Sequence, residues 1–328
     1  TGKFMGQVYE AEEIRVAPDA AAAEIERLAA EGVALVITLA PADTLLAISD
    51  AAKPHGMAIF NAQAADDRLR ADACRANVLH IAPSRSQMAD GLAQYMVWKK
   101  WTDWLLVHGS YDADRAMADA FRRAAAKFGA EIVEERVFED TGGARRSDGG
   151  HVMVQKQIPV FMQRAEAHDV VVVADKSEVF GHYLPYRMWD PRPVVGDAGM
   201  IAAMWHPAHE SWGATQLQRR FEKAAGRRML DADYLVWLAV RAIGEAVTRS
   251  QSAEPEAIRG YLLSDKFQLA GFKGQPLSFR PWTNQLRHGV ILGDAKTVVS
   301  VSPQEEFLHR VTTLDTLGVD EPESQCRF

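Results

Sequence analysis

Residues able to hold a charged, planar small molecule recur where apolar runs end. LLVHGSYDADR sets His108, Tyr111 and Arg115 just past one run, VVVVADKSE sets Lys176 past another, and AAMWHPAH sets Trp205 beside His206. GGARRSDGG adds Arg145 and Arg146 in a glycine-rich stretch, and MAIFNAQ ends in Asn61. Arginine and lysine are the donors for carboxylate, so the basic members of the set could form a local site for an anionic small molecule. Each residue also has a plainer reading. An arginine pair between glycines is commonly solvated, His108 and Tyr111 can bond within their turn, Trp205 can be packing, and Asn61 is a natural turn residue.

Other chemistries lack their patterns. The HPAH of His206 and His209 has Pro207 inside it and no acidic or thiol partner at ligand spacing, so no metal site is expected. There is no nucleophile elbow, phosphate-binding glycine loop or dinucleotide fingerprint. With 37 Lys and Arg against 44 Asp and Glu, the net charge of −7 argues against a general nucleic-acid binder. No window approaches 18 uninterrupted apolar residues, and TGKFMGQVYE does not read as a signal peptide. Cys74 and Cys326 permit one intramolecular pairing without requiring it; a bridge pinning the C-terminus and two unrelated thiols both remain open.

Positioning these residues requires strands that alternate with helices. Ser84–Ser110 reads as a helix capped at Ser84, followed at once by a buried strand from Thr102 to Val107. Before it, Gln7–Val16 alternates like a strand, a helix follows Pro18, and strands at 33–39 and 57–60 flank a helix over 42–52. After it come a helix over 111–128, strands at 131–138, 170–174 and 193–195, and a helix over 212–225. A strongly apolar helix over 233–249 reads as a return crossing. The stretch TGGARRSDGGHVMVQKQ is too long for a routine connection and is a candidate binding loop. Past Pro255 come a short helix, strand-like pieces and a hairpin turning at Gly293-Asp294. At 328 residues, two α/β lobes with parallel sheets and right-handed crossovers are expected. Lobe 1 is placed at 1–101 and lobe 2 at 102–233, with 234–328 holding the return helix, the completion of lobe 1, the hairpin and the tail. In open α/β sheets, ligands meet the carboxyl ends of strands.

Five stretches go further: TGKFMGQVYE, CRANVLHIAPSRSQMADGLAQYMVWKKW, SEVFGHYLPYRMWDPRPVVG, LAGFKGQPLSFRPWTNQLR and VSVSPQEEFLHRVTTLDTLGVDEPESQCR. With the two-lobe layout, they resemble type I periplasmic substrate-binding proteins of the branched-chain amino acid receptor group. The nearest resemblance is to the subgroup of ABC transporter systems associated with pyrroloquinoline quinone (PQQ)-dependent alcohol dehydrogenases. The resemblance implies a periplasmic, noncatalytic, monomeric receptor that needs no cofactor, closes on solute between its lobes and passes it to a membrane permease. It also implies a first strand and helix of lobe 1 ahead of TGKFMGQ, so the sequence is expected to begin at the end of that first helix.

By the same resemblance, the ligand is PQQ or the alcohol substrate of the dehydrogenase. PQQ is a flat tricyclic o-quinone with three carboxylates, and it suits Arg115, Arg145, Arg146 and Lys176 with Tyr111 and Trp205. A small alcohol or aldehyde would want a compact apolar pocket, and an amino-acid-like solute would want small hydroxyl groups and an acid. Two other classes keep the same fold: an enzyme whose Lys176 condenses with a quinone carbonyl, and a sensor domain.

Overall fold

The computed structural model describes residues 6–140 and 153–328. The chain folds as two compact units, each made of separate stretches. The first contains residues up to Ser84, His209–His288 and Val319–Phe328; the second contains Arg85–Ala208 and Gly289–Gly318. The divisions fall at Ser84/Arg85, Ala208/His209, His288/Gly289 and Gly318/Val319. The apolar helix expected as a return crossing therefore lies wholly inside the first unit.

In the first unit, β1 (Leu35–Thr38), β2 (Ala58–Asn61) and β3 (Val78–His80) form a parallel sheet in the order β1-β2-β3. The α1 (Ala21–Ala30) and α2 (Ala42–Ala52) helices carry Ile25, Leu28, Leu45 and Ile48 onto one core with Met57, Ile59 and Val78. The unit also holds α7 (Ala214–Ala225), α8 (Asp231–Ser250) and α9 (Pro255–Leu262). A small antiparallel sheet has the order β11-β10-β9, formed by β9 (Leu269–Ala270), β10 (Pro276–Phe279) and β11 (Leu286–Arg287). Gln7–Val16 is not a strand. It has no ladder partner among the described residues, and Val8, Tyr9 and Val16 are exposed, so its alternation finds no sheet face to bury. Cys74 and Cys326 are joined by a disulfide with a Cα separation of 5.8 Å.

The second unit centres on a parallel sheet of order β5-β4-β6-β7: β4 (Asp103–Gly109), β5 (Glu131–Phe138), β6 (Val170–Ala174) and β7 (Val194–Gly196). All five residues of β6 are buried, which explains its unbroken valine run: a strand covered on both faces needs no polar alternation. The unit's helices are α3 (Arg85–Trp98), α4 (Asp112–Phe128), α5 (Val154–Phe161) and the one-turn α6 (Leu184–Arg187). The hairpin expected around Gly293-Asp294 forms from β12 (Val290–Gly293) and β13 (Val298–Ser302). It is a sheet component rather than an appendage, because β8 (Ile201–Ala203) pairs with β12 and completes the order β13-β12-β8. Asp90 of α3 is fully buried. It accepts from Lys127 Nζ at 2.9 Å, Arg123 Nη1 at 3.1 Å and the Gly318 amide at 2.8 Å, tying α3, α4 and the late chain together. Among the described residues, no helix is long and apolar enough to cross a membrane.

Candidate functional site

The carboxyl edge of the β4–β7 sheet gathers the polar side chains. β4 ends at Gly109, and α4 starts two residues later with Tyr111 as its N-cap. Three positions on, Asp114 accepts from the Tyr111 amide at 3.3 Å. The same carboxylate accepts from the Ser177 amide at 2.9 Å and from the Ser177 hydroxyl at 2.7 Å. Asp114 is 0% exposed, so one buried acid fixes both the loop after β4 and the loop after β6. Gly109 makes room for it: a Cβ there would sit 2.1 Å from an Asp114 carboxylate oxygen.

The loop after β6 has a second anchor. Asp175 accepts from the amides of Val179 at 2.9 Å, Phe180 at 2.8 Å and Gly181 at 2.6 Å. Burial pushes its pKa up, against the pull of those three donors and with a further push from Asp114. The amide of Asp175 donates to Asp197 Oδ2 at 3.0 Å, and Asp197 Oδ1 meets Lys176 Nζ at 2.6 Å. The ammonium is thus placed by a carboxylate that is itself held by backbone. The Lys176 side chain keeps 46% of its surface exposed.

Tyr111 completes the edge. It is 47% exposed, and its hydroxyl donates to Asp140 Oδ2 at 2.8 Å; the Asp140 amide donates to Ser110 Oγ at 3.3 Å. Tyr111 and Lys176 are therefore brought to one edge, through Asp114 and Ser177. Arg115 lies one turn into α4, exposed, with Asp112 at 3.5 Å.

The other sequence candidates sit elsewhere. His108 is buried, with Nδ1 2.7 Å from the Gly109 carbonyl and Nε2 3.0 Å from Glu135 Oε1. The Arg122 guanidinium beside Glu135 holds that carboxyl below its usual range, with His108 adding to the effect. Trp205 is 3% exposed, following β8, and a ring so enclosed offers no stacking face. Arg145 and Arg146 lie outside the described residues. In the first unit, Asn61 ends β2 fully buried. Its Oδ1 accepts from the amides of Gln63 and Ala64 at 3.1 and 2.8 Å, and its Nδ2 donates to the Ala64 carbonyl at 2.8 Å and lies 3.0 Å from His80 Nδ1. That set uses Asn61 in shaping its own turn.

His206 and His209 are also engaged, Nε2 of the first lying 2.8 Å from the Asp294 carbonyl and Nε2 of the second 2.9 Å from the Phe272 carbonyl. Among the described residues, no group of three His, Cys, Asp or Glu side chains could hold a metal ion. The sequence reading placed 108–115 and 175–178 at strand ends without giving Asp114 or Asp175 a role, and it missed Asp140 and Asp197. The spacing of Tyr111 and Asp114 at a helix start was the one local signal, because an acid at the third helical position often reaches back to the N-cap amide. The edge is consequently mixed in charge rather than purely basic.

Residues 8–144 match the family model described as periplasmic binding protein. No curated protein matches the chain. Among solved structures, a branched-chain amino acid ABC transporter periplasmic ligand-binding protein from Burkholderia xenovorans aligns at 15% identity and a TM-score of 0.73, over 96% of this chain and 87% of that one. A leucine-, isoleucine-, valine-, threonine- and alanine-binding protein from Brucella ovis aligns at 11% identity and 0.71, over 95% and 86%. A solute-binding protein of an ABC transporter from Rhodopseudomonas palustris, in complex with benzoate, aligns at 12% identity and 0.66, over 95% and 86%. The fold is that of type I periplasmic binding proteins, two α/β units built on parallel sheets.

Proposed function

We propose that the protein is the periplasmic solute-binding component of an ABC transporter and that its solute is PQQ. The family matched by residues 8–144 and the structural neighbours are ligand-binding proteins rather than enzymes, and they take up ligand without a cofactor. One observation carries the finer reading: the exposed Lys176 ammonium and the exposed Tyr111 ring stand on the same strand-end edge, anchored by Asp114. An ammonium and a phenol ring on one edge supply charge-assisted bonding to a carboxylate and a face for a planar quinone. The benzoate-bound neighbour shows that this fold accommodates an aromatic acid.

An amino-acid-like solute is the second reading. It is favoured by Asp140 and Asp197 on the same edge, carboxylates suited to an ammonium group. Titrating the purified protein with PQQ separates the two, with leucine as competitor. Under the first reading PQQ binds saturably with a Kd of about 1 μM or tighter, and excess leucine leaves it in place. Under the second, leucine binds and PQQ does not. Lys176→Ala should weaken PQQ binding about tenfold, the loss expected for one charge-assisted hydrogen bond, and raised salt should weaken it in the unsubstituted protein.

A further inference from the structure

We propose a second ligand site in the first unit, a pocket of about 400 Å³ against the β9–β10 turn that takes a flat, uncharged aromatic molecule bearing an amide or hydroxyl. Its walls include Trp212, Phe272 and Gly274, with Gln268, Gln275 and Pro276 alongside. All belong to the first unit and to its antiparallel sheet or the approach to α7, apart from the strand ends already described.

Two bulky residues here adopt a left-handed backbone, Trp212 at φ 52° and Phe272 at φ 57°. That conformation is uncommon for any residue with a Cβ and is costly for a large ring, so both meeting at one pocket marks a conformation held for what it presents. The surroundings hold it. Each ring lies on the other segment's glycine: a Cβ on Gly274 would come within 3.0 Å of the Trp212 indole, and one on Gly213 within 3.3 Å of the Phe272 ring. The His209 ring bonds the Phe272 carbonyl at 2.9 Å, and the Tyr234 hydroxyl donates to the Gly271 carbonyl at 2.7 Å. Backbone contact on one side leaves Trp212 still 56% exposed, a supported aromatic surface facing the pocket.

The lining selects the ligand. No charged side chain contributes to it, so a carboxylate or ammonium entering would lose water without gaining a partner. Lys273, between Phe272 and Gly274 in the chain, is buried with its Nζ 4.7 Å from the Tyr234 ring centroid and is not among the lining residues. Gln268, exposed at the pocket, carries an amide able to give and accept hydrogen bonds, which matches an amide or hydroxyl on the guest. Trp212 supplies the stacking face.

The test uses the intact protein, labelled with nitrogen-15, and reads its indole N–H signals. The signal missing from Trp212→Phe is that of Trp212. Benzamide should move it saturably, whereas benzoate, an anion of the same shape, should do so only at a concentration about tenfold higher or not at all. By calorimetry, Trp212→Ala should weaken benzamide binding about tenfold while Trp212→Phe, which keeps a ring, retains most of it. A Trp212 signal that benzamide leaves in place, or that benzoate moves equally well, overturns the proposal. The signals of the unsubstituted protein decide the matter even if Trp212→Ala fails to fold.

Discussion

Lys273 shows what a single buried group does to the stability of its unit. Burial lowers its pKa from the usual lysine range to about 7, with Asp231 pulling the other way. Between pH 7 and the unfolded-state value near 10.4, the unfolded chain carries a proton on this residue that the folded chain has released. The state that binds more protons loses ground as pH rises, so this residue makes the folded state gain stability from pH 7 towards 10. From pH 7 to 9 the gain is about 2 kcal/mol at most, given 1.36 kcal/mol per unit of pKa difference. Urea denaturation at pH 7, 8 and 9 should show that rise, and Lys273→Met should flatten it while stabilising the protein at pH 7. Little of this was legible beforehand, since Lys273 lies in a stretch that reads only as strand-like pieces between glycines. The same is true of the ligand edge. Tyr111, Arg115 and Lys176 could be placed past strand ends from the apolar runs alone. The partners that fix them could not, because Asp114 meets Ser177 and Lys176 meets Asp197 across stretches of chain that no local pattern connects. Nor was it legible that His108 and Trp205 are enclosed, because periodicity locates a strand end but does not say whether the side chain there is buried.

At the scale of elements, α3 illustrates how a helix is tuned to the sheet beneath it. A Cβ on Gly91 would come within 3.0 Å of Val290 Cβ and 3.1 Å of its Cγ1, and the Gly91 carbonyl accepts from the Ser302 hydroxyl at 2.6 Å. The glycine therefore allows α3 to approach β12 and β13 closely. Gly91→Leu should destabilise the protein by about 1–3 kcal/mol through overpacking, seen as a lower urea midpoint with an unchanged slope; a midpoint equal to that of the parent would contradict the close approach. Elements with long apolar runs, such as β4 and β6, were readable because burial on both faces leaves an unmistakable pattern. β3 and β8, of three residues each, were not. A three-residue strand has no period to detect, and β8 owes its existence to pairing with β12 some 90 residues later. Gln7–Val16 erred in the other direction, a strand-like alternation with no neighbouring strand to pair with.

At the scale of the molecule, both units use the same plan, a parallel sheet whose carboxyl edge carries the polar loops. The two-lobe α/β class followed from the alternation of elements and the chain length, and a late stretch was expected to complete lobe 1; which stretches do so, 209–288 and 319–328, was not legible, since a sequence pattern carries no information on which helix returns to which sheet. The disulfide joins Cys74 and Cys326, both in the first unit, across a sequence separation of 252 residues. Beside it, Ser324 donates to the Trp282 carbonyl at 3.0 Å, and the Trp282 indole donates to the Val319 carbonyl at 3.2 Å. A cross-link over so long a loop restricts the unfolded chain strongly, so Cys326→Ser should lower stability by about 2–5 kcal/mol, measured by urea denaturation against the oxidised parent. An equal midpoint would show that the bond does not form or does not constrain the chain.

Titration of the purified protein with PQQ, followed by ligand absorbance and tryptophan fluorescence, should give saturable binding with a Kd of about 1 μM or below, weakened by salt and by Lys176→Ala. Absence of saturable PQQ binding, with tight binding of leucine or of a short alcohol in its place, would contradict it.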